Sequence, residues 1–418
     1  MKNLYTKFNS AVRWNTLEAF LYQIILYLHS IAVSVVVGST FFGIVGTIFS
    51  LIFLLIPLLG LGFDKALIIN FNIITENKVN LKNFFIKQFI MQFLLLSLSF
   101  PIFIFLDNPL DLIFCSKALC YNVNRFIWII AAFIVVSEGL RKSLRTFMQL
   151  AFKNKYTSVI EISTLVIYLT TVWTSYYITN NITLEIIFVP FLLQSLIALV
   201  ALIVLTLKFA TQLSNKSNNH SAINWSNINK SRQQGYLFQI SNAFFSGNFL
   251  IPLFAYQFGL DIAGYLKLFS YLGGIGVAFS EKIVGITSGA LFLWLQNDNN
   301  AKTLAFNKIK NQFILLLTIL STAILMVYLF SNHQTYSGSG ILFLLALTLE
   351  NFYIIYEKYF LIQNKILYIF FINLVSALVF ISFFLFFSFS LEQIISILIL
   401  IRVISFGIIA KLSKSYIV

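Results

Sequence analysis

The stretch FFGIVGTIFSLIFLLIPLLGLGF, residues 41–63, runs for 23 positions without a charged residue. It is long enough to cross the ~30 Å hydrocarbon core of a bilayer as a helix, which takes about 20 residues. Strands of a membrane barrel would instead alternate polar and apolar side chains in segments of about ten residues. This stretch therefore predicts one transmembrane helix.

Runs of the same kind recur along the whole chain. Of the 418 residues, 59% are hydrophobic and only 10% are charged, against roughly 25% charged in a soluble domain. This composition excludes a soluble fold and predicts an all-α integral membrane protein of about 12 transmembrane helices. The predicted spans are 16–37, 41–63, 84–106, 126–150, 158–179, 184–207, 236–257, 262–291, 312–331, 340–362, 366–388 and 391–411.

The basic residues between these spans give the topology. When the loops are assigned alternately to two sides, one side collects nineteen lysines and arginines and the other only Lys117 and Arg125. By the positive-inside rule the first side is cytoplasmic, which places both termini inside. Its members are Lys2, Lys7, Arg13, Lys78, Lys82, Lys87, Lys153, Lys155, Lys208, Lys216, Lys230, Arg232, Lys302, Lys308, Lys310, Lys358, Lys365, Lys411 and Lys414.

The net charge of +14 does not indicate a nucleic-acid partner. The basic residues are scattered in short gaps between apolar runs, so no continuous basic face is available to a phosphate backbone. The partner indicated by composition is the lipid bilayer.

An Asn- and Ser-rich cytoplasmic gap divides the chain near its middle. We predict an N-terminal six-helix bundle over 1–210, a linker over 211–232 and a C-terminal six-helix bundle over 233–418. A weak internal repeat supports two bundles related by pseudo-two-fold symmetry, because Leu21–Ile24 (LYQI) resembles Leu237–Ile240 (LFQI), and a Gly-containing stretch follows each. Such parallel halves are common in transporters, with the substrate path between them.

The outside loops are short, except for Asp107–Arg125. This loop contains both cysteines, Cys115 and Cys120. Two cysteines separated by four residues on the oxidising side of a membrane could form a disulfide, and the alternative is a reduced pair. No histidine lies near enough in sequence to predict a metal site.

The fourth span carries a polar stripe. Its members fall within an arc of about 100° at the helical period and are Glu138, Arg141, Lys142, Arg145 and Gln149. Charges at bilayer depth cost at least ~2.5–3.5 kcal/mol, so they face a protein interior or water. Either the stripe lines a cavity, with Glu138 paired to Arg141 or Lys142 and positive charge left for an anion, or Lys142 and Arg145 snorkel to the interface.

The eighth span repeats this pattern. Lys267, Tyr271 and Glu281 share a face with glycines and an alanine, and Lys282 lies at its edge. The small residues fit either close helix packing or a wide lumen, but packing alone does not explain Lys267 and Glu281, which need a polar partner or water.

Further ionisable residues lie within other spans. Glu350, Tyr353 and Glu357 form a stripe in the tenth span that could pair with these cations or bind H+ or Na+. His29 in the first span could titrate during transport or be a hydrogen-bonded interior histidine. Lys65 is expected to snorkel at the end of the second span. Arg402 could reach either the interface or the cavity.

No catalytic motif is present in the sequence. It contains no phosphate-binding loop, no His/Cys cluster with metal-ligand spacing and no nucleophile elbow. We therefore predict that the chain is not an enzyme and needs no cofactor, with coupling to H+ or Na+ left open.

Three stretches carry a family resemblance. Phe42–Ser50 (FGIVGTIFS) looks like the Phe-Gly stretch that opens the second helix of polysaccharide transporters, and Gly60–Asp64 (GLGFD) follows as that helix ends. Ser137–Arg141 (SEGLR), with Arg145 and Gln149, is similar to their polar fourth helix. On these residues the chain resembles O-antigen flippases of the Wzx type, in the multidrug/oligosaccharidyl-lipid/polysaccharide (MOP) exporter superfamily.

The resemblance implies a V-shaped, alternating-access transporter in the inner membrane of a bacterium. Its cargo would be an undecaprenyl-pyrophosphate-linked oligosaccharide repeat unit, and the polymerase and chain-length proteins of the same pathway would be candidate partners. The cavity cations Arg141, Lys142, Arg145, Lys267 and Lys282 would suit a pyrophosphate head. The alternatives are a multidrug or other lipid exporter of the same superfamily and a polysaccharide polymerase, which would be expected to carry a large periplasmic loop.

Overall fold

The computed structural model describes residues 2–75, 78–105, 123–213, 225–279, 307, 311, 337–362 and 366–417. Within these ranges the chain is helical apart from short connections, and no strand occurs. The N-terminal half contains α1 (Lys2–Val37), α2 (Ser39–Leu59), α3 (Phe63–Thr75), α4 (Lys78–Leu96), α5 (Ser99–Phe105), α6 (Arg125–Leu150), α7 (Asn154–Thr179) and α8 (Leu184–Leu213). The C-terminal half contains α9 (Trp225–Ala243), α10 (Gly247–Phe258), α11 (Leu260–Phe279), α12 (Ser337–Ile362), α13 (Leu367–Phe386) and α14 (Leu391–Ile417).

Eight helical segments of the described chain are long and apolar enough to cross a membrane. They correspond to the predicted spans one to three, five to seven, eleven and twelve. The predicted fourth span is the 26-residue helix α6, which differs from these eight segments in carrying the charged stripe. The ninth span, 312–331, and the end of the eighth lie outside the described residues, and the tenth shows the apolar stretch Gly338–Glu350.

Several boundaries differ from the prediction. The predicted second span ends at Leu59, where Leu61 and Gly62 adopt positive φ and turn the chain into the short helix α3. The third and seventh spans are each broken into two helices, α4–α5 and α9–α10. Helix α9 begins at Trp225, so residues 225–232 of the predicted linker are helical. Helix α9 packs against α3.

The two halves pack against each other chiefly through α2 and α11. Helix α1 also contacts α11, and α9 contacts α3. A continuous apolar core joins residues of both halves, including Ile48 and Ile52 of α2 and Leu266 of α11. We call the surface between the two halves the boundary.

The internal repeat is visible in the backbone that leads into α2 and α11. Gly38 and Gly259 have φ of 83° and 100°, conformations that L side chains rarely adopt. Each glycine donates its N–H to the carbonyl four residues earlier and accepts from the N–H four residues later. Aligned on these two glycines, the segments have an offset of 221 positions, which pairs Gly43 with Gly264 and Gly46 with Lys267. The predicted pairing of LYQI with LFQI has a different offset, 216 positions.

Candidate functional site

Equivalent positions of the two halves meet near the start of α2 and α11. A Cβ atom at Gly43 would lie 3.1 Å from the Gly264 nitrogen and would overlap the Leu260 carbonyl oxygen. Only glycine allows the two backbones to approach this closely. Beside this crossing, the exposed carboxylate of Asp261 accepts hydrogen bonds from Thr40 Oγ1 and, at 3.1 Å, from Ser39 Oγ. We call these five residues, Ser39, Thr40, Gly43, Asp261 and Gly264, the upper layer.

Lys267 lies one turn further along α11 and breaks the symmetry of the boundary. Its side chain packs on its own equivalent, Gly46, where a Cβ atom would come within 2.8 Å of Lys267 Cγ. The lysine is only 5% exposed. Its Nζ donates to Ser50 Oγ at 3.0 Å and lies 5.2 Å from the centre of the Tyr271 ring. Among the described residues, no carboxylate lies within ion-pair distance of it.

The other end of α2 forms a second contact between the halves, built on charge. Lys65 Nζ binds Glu357 Oε1 at 2.7 Å, and Gln239 Nε2 donates to Asp64 Oδ1 at 2.5 Å. Gly62 and Gly235 allow α3 and α9 to approach closely. A Cβ atom at either glycine would come within 2.6 Å of an atom of the facing segment. We call Gly62, Asp64, Lys65, Gly235, Gln239 and Glu357 the lower layer.

The position of Lys65 differs from the prediction. It does not snorkel to an interface, because it is 8% exposed and bridges the two halves. The physical reason is the turn at Leu61 and Gly62, which places Lys65 in the first turns of α3 and directs that helix against α9. The ion pair also gives Glu357 a basic partner.

The polar stripe of α6 is buried within the N-terminal half. Arg141 binds Glu138 Oε1 at 2.6 Å and Glu161 Oε2 at 2.9 Å. Arg145 lies 3.7 Å from Glu161 and 4.0 Å from Glu18 of α1. The pairing of Glu138 with Arg141 is as predicted. The cluster joins α1, α6 and α7, with three carboxylates around two guanidinium groups.

Lys142 lies apart from this cluster. Its side chain is 48% exposed, and its Nζ is 3.5 Å from Asp64 Oδ2. It is therefore the most accessible cation of the stripe and lies beside the lower layer.

A second buried arginine organises the C-terminal half. Arg402 of α14, which is 1% exposed, makes a bidentate ion pair with Glu350 of α12. Its third contact is Asn373 Oδ1 at 2.9 Å, and Asn373 in turn donates to Asn242 Oδ1 at 2.6 Å. Arg402 and Glu350 therefore satisfy one another within this half, so Arg402 does not reach the interface.

His29 has a hydrogen-bonding partner at each ring nitrogen. Trp173 Nε1 donates to His29 Nδ1 at 3.2 Å, and His29 Nε2 lies 3.3 Å from the Tyr168 hydroxyl. Because Nδ1 accepts from Trp173, the neutral Nε2–H tautomer fits this geometry. This is the environment of a hydrogen-bonded interior histidine.

Comparison with known proteins addresses the fold. No protein-family model matches the chain, and no curated protein matches its sequence. The structure is similar to the outward-facing conformation of a multidrug resistance MATE family transporter of the MOP superfamily, with a TM-score of 0.61, 14% identity and coverage of 98% of this chain and 96% of the other. It is also similar to the eukaryotic MATE transporter AtDTX14, with a TM-score of 0.59, 15% identity and coverage of 98% and 95%.

The chain has the MATE transporter fold. A MATE protein in the straight conformation is a third similar structure, with a TM-score of 0.52, 17% identity and coverage of 98% and 97%. The predicted fold class, an all-α membrane protein, is thereby confirmed. The upper and lower layers occupy opposite ends of α2 within this MATE fold.

Several predicted site residues cannot be placed. Glu281, Lys282, Cys115 and Cys120 lie outside the described residues. Conversely, Glu18 and Glu161 belong to the charged cluster of the N-terminal half but are not among the residues predicted from the sequence. A signal existed, because both acids lie inside predicted spans, where a charge needs a partner.

Proposed function

We propose that this protein is a flippase. It moves undecaprenyl-pyrophosphate-linked oligosaccharide repeat units, of O-antigen or a similar surface polysaccharide, from the cytoplasmic to the periplasmic leaflet by alternating access. The fold supports transport, since the MATE structures that it resembles are of transporters. The family resemblance of Phe42–Ser50 and Ser137–Arg141 supports the lipid-linked glycan.

The observation that carries this proposal is the environment of Lys267. A buried ammonium group is costly at bilayer depth unless a negative group compensates it. Here the described neighbours are a hydroxyl group and an aromatic ring, and the lysine lies between the upper and lower layers at the boundary. A phosphate that enters between the halves supplies the missing negative charge.

The other cations take more limited roles in this proposal. Arg141 and Arg145 are already surrounded by Glu18, Glu138 and Glu161, so they shape the N-terminal half rather than offer free positive charge. Lys142 is half-exposed beside the lower layer, where it can meet an entering anion first. Lys282 lies outside the described residues and stays a predicted anion contact, from its place at the edge of the same face of the predicted eighth span.

The two layers provide the alternation. Parting of the lower layer admits the head group from the cytoplasm, and parting of the upper layer releases it outside, while the lipid tail remains in the bilayer. The cargo can drive this exchange only if it binds the two open states differently. An anion at Lys267 satisfies this requirement if the outward-open state admits water to the lysine, because the hydrated ammonium group then binds the anion more weakly.

Ion coupling is assigned to the charged cluster of the N-terminal half. Three buried carboxylates and two guanidinium groups leave one excess negative charge if all are ionised. Because isolated charge is costly at this depth, a proton or a sodium ion bound by Glu18, Glu138 or Glu161 would neutralise the cluster. Glu350 and Glu357 are less suited to this role, because Arg402 and Lys65 already pair with them.

The proposed setting follows from charge distribution along the chain. We place the protein in the inner membrane of a bacterium with both termini in the cytoplasm, which puts the lower layer on the cytoplasmic side. Candidate partners are the polymerase and chain-length proteins that act on the flipped product. Reporter fusions at both termini test the orientation.

Complementation of a flippase-null strain tests the function. Lys267→Met should lower surface polysaccharide strongly at equal protein level, and Lys267→Arg should retain part of it. In proteoliposomes, the same Lys267→Met change should weaken uptake of the pyrophosphate-linked glycan by about 30-fold, or about 2 kcal/mol. The exposed lysine variant Lys411→Met is the matched control.

Two outcomes decide between this proposal and its alternatives. Full activity of Lys267→Met would reject the assigned anion site. Transport of cationic drugs with no transport of the glycan lipid would identify a multidrug exporter instead. Two further variants extend the test. Lys282→Ala should lower surface polysaccharide at equal protein level, whereas Arg141→Ala leaves Glu138 buried without its basic partner and should lower the protein level as well.

A further inference from the structure

Three tyrosines from both halves converge at the boundary. Tyr22 of α1, Tyr168 of α7 and Tyr271 of α11 belong to the same apolar core, and α1 packs against both α7 and α11. Tyr168 and Tyr271 each lie 11 residues from a helix end, about 16 Å at 1.5 Å per residue, so this tyrosine cluster is near the middle of a ~30 Å hydrocarbon core.

Neutral polar groups contact two members of the tyrosine cluster. His29 Nε2 is 3.3 Å from the Tyr168 hydroxyl, and Gln194 Nε2 lies 3.4 Å from the Tyr22 hydroxyl. Gln194 is fully buried, and its Oε1 has no hydrogen-bond partner. A buried amide oxygen without a partner is costly, which indicates a group that takes up a hydrogen-bond donor in another state of the protein.

The tyrosine cluster adjoins the proposed phosphate site. Lys267 Nζ is 5.2 Å from the centre of the Tyr271 ring, and the two residues are one helical turn apart. In a pyrophosphate-linked glycan, the first sugar is bonded directly to a phosphate oxygen. A phosphate held by Lys267 would therefore place that sugar within reach of Tyr271.

We propose that the tyrosine cluster, with His29 and Gln194, binds the sugar ring that is attached directly to the pyrophosphate. This rests on the proposed function. A pyranose ring presents C–H groups on its faces, which pack on aromatic rings, and hydroxyl groups at its edge, which hydrogen-bond to amide, phenol and imidazole groups. Parting of the boundary uncovers these groups for a ligand.

Binding of two lipids by the purified protein in nanodiscs tests the inference. The probes are undecaprenyl pyrophosphate and the same lipid carrying N-acetylglucosamine, titrated by native mass spectrometry. The wild type should bind the glycosylated lipid about tenfold more tightly than the bare lipid. Tyr271→Ala should remove this preference, while affinity for the bare lipid changes less than about threefold.

Further variants separate recognition from folding. Tyr168→Phe keeps the ring and deletes only the hydroxyl, so it should reduce the preference in part. Lys267→Met should weaken both lipids, and Tyr256→Ala, an exposed tyrosine of α10, should change neither.

The outcomes distinguish this inference from the proposed function. If the wild type binds both lipids equally, or if Tyr271→Ala weakens both by the same factor, the tyrosine cluster is only packing and the inference is overturned, while the pyrophosphate site stands. If the wild type binds neither lipid, the proposed function itself fails.

Discussion

The upper and lower layers join the same two halves by different physical means. The upper layer is a crossing of backbones at Gly43 and Gly264, with Asp261 hydrogen-bonded at its exposed edge. The lower layer contains the buried ion pair of Lys65 with Glu357. Close packing of small residues requires little desolvation, whereas a buried ion pair balances a large desolvation cost against strong attraction.

This difference has a consequence for gating. When the lower layer parts, water can solvate both members of the ion pair. The hydration free energy gained on opening therefore offsets much of the ion-pair attraction that is lost. When the upper layer parts, the glycine contact is simply lost. We therefore expect the lower layer to respond to charge and the upper layer to respond to side-chain volume.

The largest effect is expected from Lys65→Met. It leaves Glu357 buried without its basic partner, and breaking a buried pair costs about 3–5 kcal/mol. States with an open lower layer should become favoured by that amount. Spin labels at the exposed positions Asn83 and Lys230 would report a longer distance by double electron–electron resonance. The charge reversal Lys65→Glu with Glu357→Lys should restore part of the closed population, and an unchanged distance in Lys65→Met would contradict the role of the pair.

A smaller but opposite shift is expected from Gly43→Val. Its side chain would overlap the Leu260 carbonyl, and overpacking of this kind costs about 1–3 kcal/mol. Labels at the exposed positions Val36 and Tyr256 should move apart while the lower labels stay in place. Gly407→Val is the matched control, because a Cβ atom at Gly407 meets nothing within 4 Å. Equal behaviour of the two variants would show that the crossing is not a closure.

The smallest effect is expected from Asp261→Asn. The carboxylate is exposed, and hydrogen bonds to a charged acceptor at such a position contribute about 1 kcal/mol. The upper labels should therefore report a change of only a few-fold in the open population. Added salt should reduce the difference between variant and wild type, because exposed charges are screened. A shift as large as that of Gly43→Val would reverse our ranking of the two contributions.

The sequence predicted the features that depend on local patterns. Hydropathy identifies the spans, and helical periodicity places Glu138 beside Arg141, because residues three apart share a face. The partners of Arg141 on α7 and of Arg145 on α1 were missed, since Glu161 and Glu18 belong to other helices and only tertiary packing brings them together. For the same reason the pairs of Lys65 with Glu357 and Arg402 with Glu350 could not be read from spacing.

The repeat shows the same limit. Similar residues near positions 21 and 237 indicated two related halves. The register that relates one half to the other came from the backbone conformation of Gly38 and Gly259. In that register, equivalent residues of the two halves are in contact, as Gly46 and Lys267 are. A contact between the halves cannot be predicted from the residue pattern of one half.

The contact of Lys267 with Gly46 has a consequence for how such a molecule can be built. In a homodimer of identical halves, a lysine at this position would face its own copy across the symmetry axis, and two ammonium groups would repel each other in a dry interface. Fusion of the two halves into one chain removes this restriction, because the residue at this position can then differ between the two repeats. A single charge on the axis is thus available only to a one-chain protein, in which the glycine of one repeat makes room for the lysine of the other.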